Sequence, residues 1–228
     1  MARKMKKFVL FYVVLILILS GCSMASRAKD YHYSIGDMDV TVKSIDGCRI
    51  KKTDNISVHA VWKDFSNYDL FENCDMIMLG KVESVEEYSI SYTNLGADVT
   101  DYGSVLTINP GKVFYGDRSL QGKPVKVNFE FARHTLAEDA IMPEAGEEYY
   151  FFLRSAANDP NNLLGYENFV DYLQKLPPTP DYMVKKGQNM PQPIRGILLF
   201  NAQKTGVQQG DLNEIASMDE LLRIIFSR

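Results

Sequence analysis

Between Pro124 and Phe131 the chain alternates without a break: Val125, Val127, Phe129 and Phe131 on one side, Lys126, Asn128 and Glu130 on the other. A period of two fits an extended strand with one buried face and no helix. This segment commits the domain to a sheet. Further strand patterns lie at Met38–Ile45, Ile56–Trp62, Asp75–Val85, Val105–Tyr115, Tyr149–Leu153 and Ile194–Phe200. Gly80 inside one of them predicts a bulge or a sharp coil, and Asn109-Pro110-Gly111 inside another predicts a bulge or an edge position. Helices are expected at only two places. Asp64–Asn73 has Phe65, Tyr68, Leu70 and Phe71 as its apolar residues. The second opens with the capping box Ser217-Met-Asp-Glu220, and Met218, Leu221, Leu222, Ile225 and Phe226 then form one stripe.

The N-terminus reads as an export signal. Arg3, Lys4, Lys6 and Lys7 precede an unbroken apolar run, Phe8–Leu19. That run is shorter than the roughly 20 residues a spanning helix needs and matches the apolar region of a secretory signal. Leu19-Ser20-Gly21-Cys22 follows, a branched apolar residue, two small ones and a cysteine, which is the bacterial lipobox pattern. Residues 1–21 are therefore expected to be a signal peptide, and Cys22 the lipid-carrying first residue of the mature chain, held at the extracytoplasmic face of the cell membrane. Residues 22–30 read as a lipidated tether and residues 31–228 as a single domain with an irregular 154–193 insertion, rich in Pro177-Pro-Thr-Pro180 and Pro191-Gln-Pro193 turns.

Charge narrows the partners. Removing the leader takes away four basic residues and no acid, so the formal charge moves from −4 to −8. Nucleic acid, which needs a basic footprint, is a poor fit. Membrane attachment must come from the acyl chains at Cys22 rather than from charge. Cys48 and Cys74 either form a disulfide, as an oxidising compartment permits, or remain as two buried thiols.

Residues that bear chemistry form no recognisable set. His32, His59 and His134 are scattered without metal-ligand spacing, and Gly-x-Gly and Gly-x-Ser-x-Gly are both absent. The pairs Glu86-Glu87, Glu138-Asp139 and Glu147-Glu148 are sequence neighbours, which a strand points to opposite faces. No catalytic residue, metal or cofactor is assigned. Glu86–Gly103, read as a hairpin or a mobile loop, offers Tyr88, Tyr92 and Tyr102. The 154–193 segment offers Tyr166, Phe169, Tyr172 and Tyr182. These aromatics are candidates for binding loops; the simpler alternative is packing on a barrel rim.

The succession of a helix, Asp75-Met-Ile-Met-Leu-Gly-Lys-Val, Lys112-Val-Phe-Tyr-Gly-Asp117, Leu120-Gln-Gly-Lys-Pro-Val-Lys-Val127 and Gly146-Glu-Glu-Tyr-Tyr-Phe-Phe-Leu153 resembles the netrin/TIMP-like module of small bacterial lipoproteins, over roughly residues 64–200. The resemblance implies a mainly β, α+β fold: a five-stranded OB-like Greek-key barrel with a helix before it and a C-terminal helix. It does not imply protease inhibition, because the cysteine those relatives use is here expected to carry lipid. The expected function is a non-catalytic binding module that meets an envelope protein not named by the sequence. The alternatives are a solute-binding lipoprotein, for which the chain is short, and an envelope hydrolase, for which it has no motif.

Overall fold

The strand read at Pro124–Phe131 forms as Val125–Phe129, and its apolar side faces a core. The computed structural model describes residues 30–45, 69–129, 131–135, 142–158, 162–170, 173–175, 183–207, 215 and 217–226. Apart from Asp30, all of these belong to one unit, Tyr31–Arg228. The strands are β1 (Tyr31–Ile35), β2 (Met38–Ser44), β3 (Met76–Asn94), β4 (Ala97–Tyr115), β5 (Val125–Phe129), β6 (Glu148–Ser155), β7 (Leu173–Lys175) and β8 (Met183–Lys185). The helices are α1 (Leu70–Asn73), α2 (Gln192–Lys204) and α3 (Met218–Phe226).

Five strands close on themselves. β3 pairs with β4, β4 with β5, β5 with β7, β7 with β6, and β6 back with β3; the β5–β7 pair alone is parallel. The fold is thus mainly β, an OB-like barrel, with α1 before it and α3 at its end. Met76, Met78, Val82, Leu106, Ile108, Val125, Val127, Phe129, Tyr149, Phe151 and Leu153 fill the interior. The Gly80 and Pro110 signals mark the bend that closure requires. Gly80 lies opposite Pro110, Gly111 is skipped in the pairing, and a Cβ on Gly80 would stand 2.5 Å from Ile108 Cγ2.

β3 and β4 are each 19 residues long, far longer than the barrel needs. Their distal halves project as a hairpin, which settles Glu86–Gly103 as strand and turn rather than a loop. β1 and β2 add to its side, giving a wing ordered β1-β2-β3-β4. The wing buries one face. Val40, Val42, Tyr88, Ile90, Leu164, Phe169 and Val170 form a cluster there. The other face carries a row of hydroxyls, in which His32 Nδ1 meets Thr41 Oγ1 at 3.1 Å and Ser91 Oγ meets Thr100 Oγ1 at 3.0 Å.

Three expectations need correction. Ile194–Phe200 is not a strand but the middle of α2, in which Ile194, Ile197, Leu198 and Ala202 are buried at helical spacing. A short segment apolar at all positions but Arg195 and Gly196 hides its own period, and Pro193 in the first turn suits a helix start. The 154–193 segment is not wholly irregular either. It supplies β7, the strand that closes the barrel, together with β8 and a short 3-10 turn at Tyr166–Asn168. Asn128, placed by alternation on the solvent side, is fully buried because Tyr88 of the wing lies over it. The β1 strand had no counterpart in the sequence reading. Ile56–Trp62 and the 64–68 portion of the first helix lie outside the described residues. No helix among the described residues is long and apolar enough to cross a membrane.

Candidate functional site

Of the binding residues expected from sequence, Tyr88, Tyr92, Tyr166 and Phe169 belong to the cluster under the wing. Tyr88 and Phe169 are 4% and 6% exposed, and their rings meet edge-on at 5.1 Å. Tyr166 meets Phe169 edge-on at 5.7 Å, and Tyr92 packs against the same cluster. These four residues cement the wing, so the rim-packing alternative describes them. Burial and the bonded Asp101 carboxylate push the Tyr92 hydroxyl up to about 12. Tyr102 lies elsewhere, against the His134 ring at 4.6 Å. Tyr172 and Tyr182 lie outside the described residues, as do Cys22 and Cys48. Cys74 is a free, buried thiol, and its burial raises its pKa.

The site that does open to solvent lies on the outside of the barrel, between α1, the end of β4 and α3. It is a cleft of about 640 Å³, lined by Phe71, Asp75, Phe114, Tyr115, Gly116, Arg118, Lys204, Thr205, Ile225 and Phe226. Each wall has a local cause. Asp69 caps α1 by accepting from Phe71 N–H at 2.9 Å, and it pairs with Lys204. Burial works against the charge on Asp69, but the bond from Lys204 holds its carboxyl below the ordinary range. Leu70 N–H donates to the buried Asn201 Oδ1 of α2 at 2.9 Å, and Arg154 grips the far end of α1 through Asn73. One short turn of helix is thereby pinned at both ends. Leu70 points inward at 0% exposure, while Phe71 stays 42% exposed.

The opposite walls are set as firmly. Gly116, at φ 94°, lets the chain leave β4 hard against β3. A Cβ there would meet the Asp75 carbonyl and stand 3.1 Å from Met76 Cα. Helix α3 docks on the barrel through Asp219, which accepts from Lys112 at 2.5 Å and from Tyr150 at 2.8 Å. That docking carries Phe226 into the cleft, where its ring lies 5.1 Å from Phe71 and 4.9 Å from Tyr115.

The floor is therefore aromatic, with three rings contributed by three separate elements. Asp75, Arg118, Lys204 and Thr205 give it polarity. Arg118 is exposed and has no ion-pair partner among the described residues. Asp75 uses one carboxylate oxygen to accept from Ser155 N–H at 2.6 Å. An open volume with an aromatic floor and several polar groups at its rim offers both contact area and hydrogen-bonding groups to a bound partner. Its lining contains no histidine, cysteine or serine, and Asp75 is its one carboxylate. Among the described residues no group of three His, Cys, Asp or Glu is placed to hold a metal ion. No family model, no curated protein and no solved structure matches the chain.

Proposed function

We propose that the chain is an exported lipoprotein, fixed by Cys22 to the extracytoplasmic face of the cell membrane, whose netrin/TIMP-like barrel works as a non-catalytic binding module of the envelope. The observation that carries this reading is the cleft. Its aromatic floor is built outside the barrel core, stays open to solvent at Phe71 and has the exposed Arg118 at its edge. Aromatic rings packed against one another give contact area at low entropic cost, and a rigidly held floor loses little freedom when it is covered. The OB-like ring supports the resemblance read from the sequence, and the lipobox supports the address.

The test is capture from envelope extract by the purified full chain. Wild type is expected to retain a specific protein. Phe71→Ser with Arg118→Ser is expected to lose it while staying folded, the melting temperature falling only by what the Phe71 ring's contacts with Tyr115 and Phe226 contribute. Hydrolysis of peptidoglycan, peptide or ester by the wild-type chain would overturn the reading, as would undiminished capture by the double variant. The address is tested separately by metabolic labelling with a clickable fatty acid. Label is expected on wild type and not on Cys22→Ala, and label that persists in the variant would refute it.

A further inference from the structure

The wing ends in an open edge. Among the described residues β1 is its outermost strand and pairs only with β2. The turn between them has two residues, Gly36 and Asp37, with Ile35 opposite Met38. In such a hairpin the residues flanking the turn exchange both hydrogen bonds, and bonded and non-bonded pairs then alternate. Ile35, Tyr33 and Tyr31 therefore spend their backbone groups on β2. The next ladder agrees with this phase: Ile45 N–H donates to Glu87 O at 2.9 Å, so the odd-numbered residues of β2 face β3 and the even-numbered ones face β1. His32 and Ser34 are left with N–H and C=O pointing outward.

Folded proteins usually guard such an edge with charge, proline or a bulge. β1 carries no charged residue and no proline. The wing's other open edge, the part of β4 beyond the reach of β5, is guarded by Asp98 and Asp101. The contrast marks β1 as an edge meant to be covered.

Its sequence also indicates by what. Tyr31-His32-Tyr33-Ser34-Ile35 reads alike in both directions about Tyr33: large and apolar, small or polar, Tyr, small or polar, large and apolar. From this we infer that β1 pairs antiparallel with β1 of a second copy, about a two-fold axis through Tyr33. His32 then faces Ser34 of the other copy and the reverse, which forms four backbone hydrogen bonds from the outward groups. Tyr33 meets its twin, and Tyr31 meets Ile35, on the face that continues the buried wing cluster. His32 and Ser34 side chains fall on the polar face. An isologous contact of this kind closes as a dimer and leaves no free edge for further growth.

Disulfide trapping tests the register. On a Cys48→Ser parent of the full chain, His32→Cys with Ser34→Cys places the two thiols opposite each other across the two-fold, at the spacing of a bonded pair, about 5.5 Å between Cα atoms. Both positions are exposed, so the fold should tolerate the change. Oxidation is expected to give at least tenfold more covalent dimer from the double variant than from either single variant. Equal yields would overturn the inference, and so would no dimer. Sedimentation equilibrium of the full chain is the second readout. Self-association is expected in wild type and should be lost in Ser34→Pro, which removes an outward N–H without touching the β2 ladder. A wild type that stays monomeric, or a proline variant that associates as before, would overturn it.

Discussion

Gly103 should be worth more to this fold than any side chain placed there. It lies opposite Tyr88, and the Tyr88 ring occupies the space its missing side chain leaves. By crossing there the phenol reaches Asn128 on β5 and donates to its Oδ1 at 2.6 Å. A Cβ on Gly103 would stand 2.6 Å from Tyr88 Cζ, roughly 1 Å inside ordinary contact distance. Replacing a strand glycine by alanine normally gains about 0.5–1 kcal/mol. Here the ring must move, which costs about 1–3 kcal/mol as overpacking. The phenol then releases Asn128, whose Nδ2 already has no partner. A fully buried amide with neither end bonded costs a further ~1–3 kcal/mol. Gly103→Ala is therefore expected to destabilise by about 2–4 kcal/mol, opposite in sign to the usual strand effect. Urea unfolding should show a lower midpoint at unchanged slope. On a Tyr88→Ala background the same substitution should be nearly neutral, a coupling of at least ~1 kcal/mol. A neutral or stabilising Gly103→Ala in the wild-type chain would refute the reasoning, as would simple additivity with Tyr88→Ala.

Three further outcomes follow from the geometry. Leu95, fully exposed at the tip of the long hairpin, has φ 51° beside Gly96 at φ 79°. Asn adopts that conformation at less cost than Leu, so Leu95→Asn should raise stability by about 1 kcal/mol in thermal or urea unfolding. Burial works against the charge on Asp219, but its bonds from Lys112 and Tyr150 hold the carboxyl below its ordinary 3.8. A depressed folded value means its stabilisation is complete above pH ~4 and is lost as pH falls through the folded value. Acid titration of stability should therefore flatten in Asp219→Asn, by no more than ~1 kcal/mol for a pair this exposed. Phe129→Ala should cost about 3–5 kcal/mol, whereas Lys126→Ala, one strand face away, should stay within about 0.5 kcal/mol.

Where a pattern was local, the sequence was legible. Alternation found β5, the Gly80 and Pro110 signals found the bend that closes the barrel, and the Met218–Phe226 stripe found α3. Two things defeated it. Ile194–Phe200 is apolar at every position but Arg195 and Gly196, so its period could not separate a strand from a helix buried on one side. Three-residue β7 carries too little pattern to announce that it closes the barrel. Asn128 and Tyr88 failed for a different reason: each looked solvent-facing or free in its own segment, and only the long hairpin brings the one over the other. The cleft shares that property. Phe71, Tyr115 and Phe226 were each read as apolar residues of separate elements, and nothing in their spacing says that the three rings meet. A signal was present at Gly116, which sits in the turn Tyr115-Gly116-Asp117 and permits the close approach of β3 and β4 behind the floor.

The central claim is that this cleft holds a protein of the envelope, and the most direct measurement is photo-crosslinking from inside it. A benzophenone amino acid placed at Phe71 of the full chain, irradiated in living cells, should give a discrete covalent adduct with one envelope protein. The adduct should disappear when Arg118→Ser is added, and it should not form from the same probe at exposed Leu163, outside the cleft. A probe at Phe71 that labels nothing above the Leu163 control, or labels many proteins equally from both positions, would contradict the account.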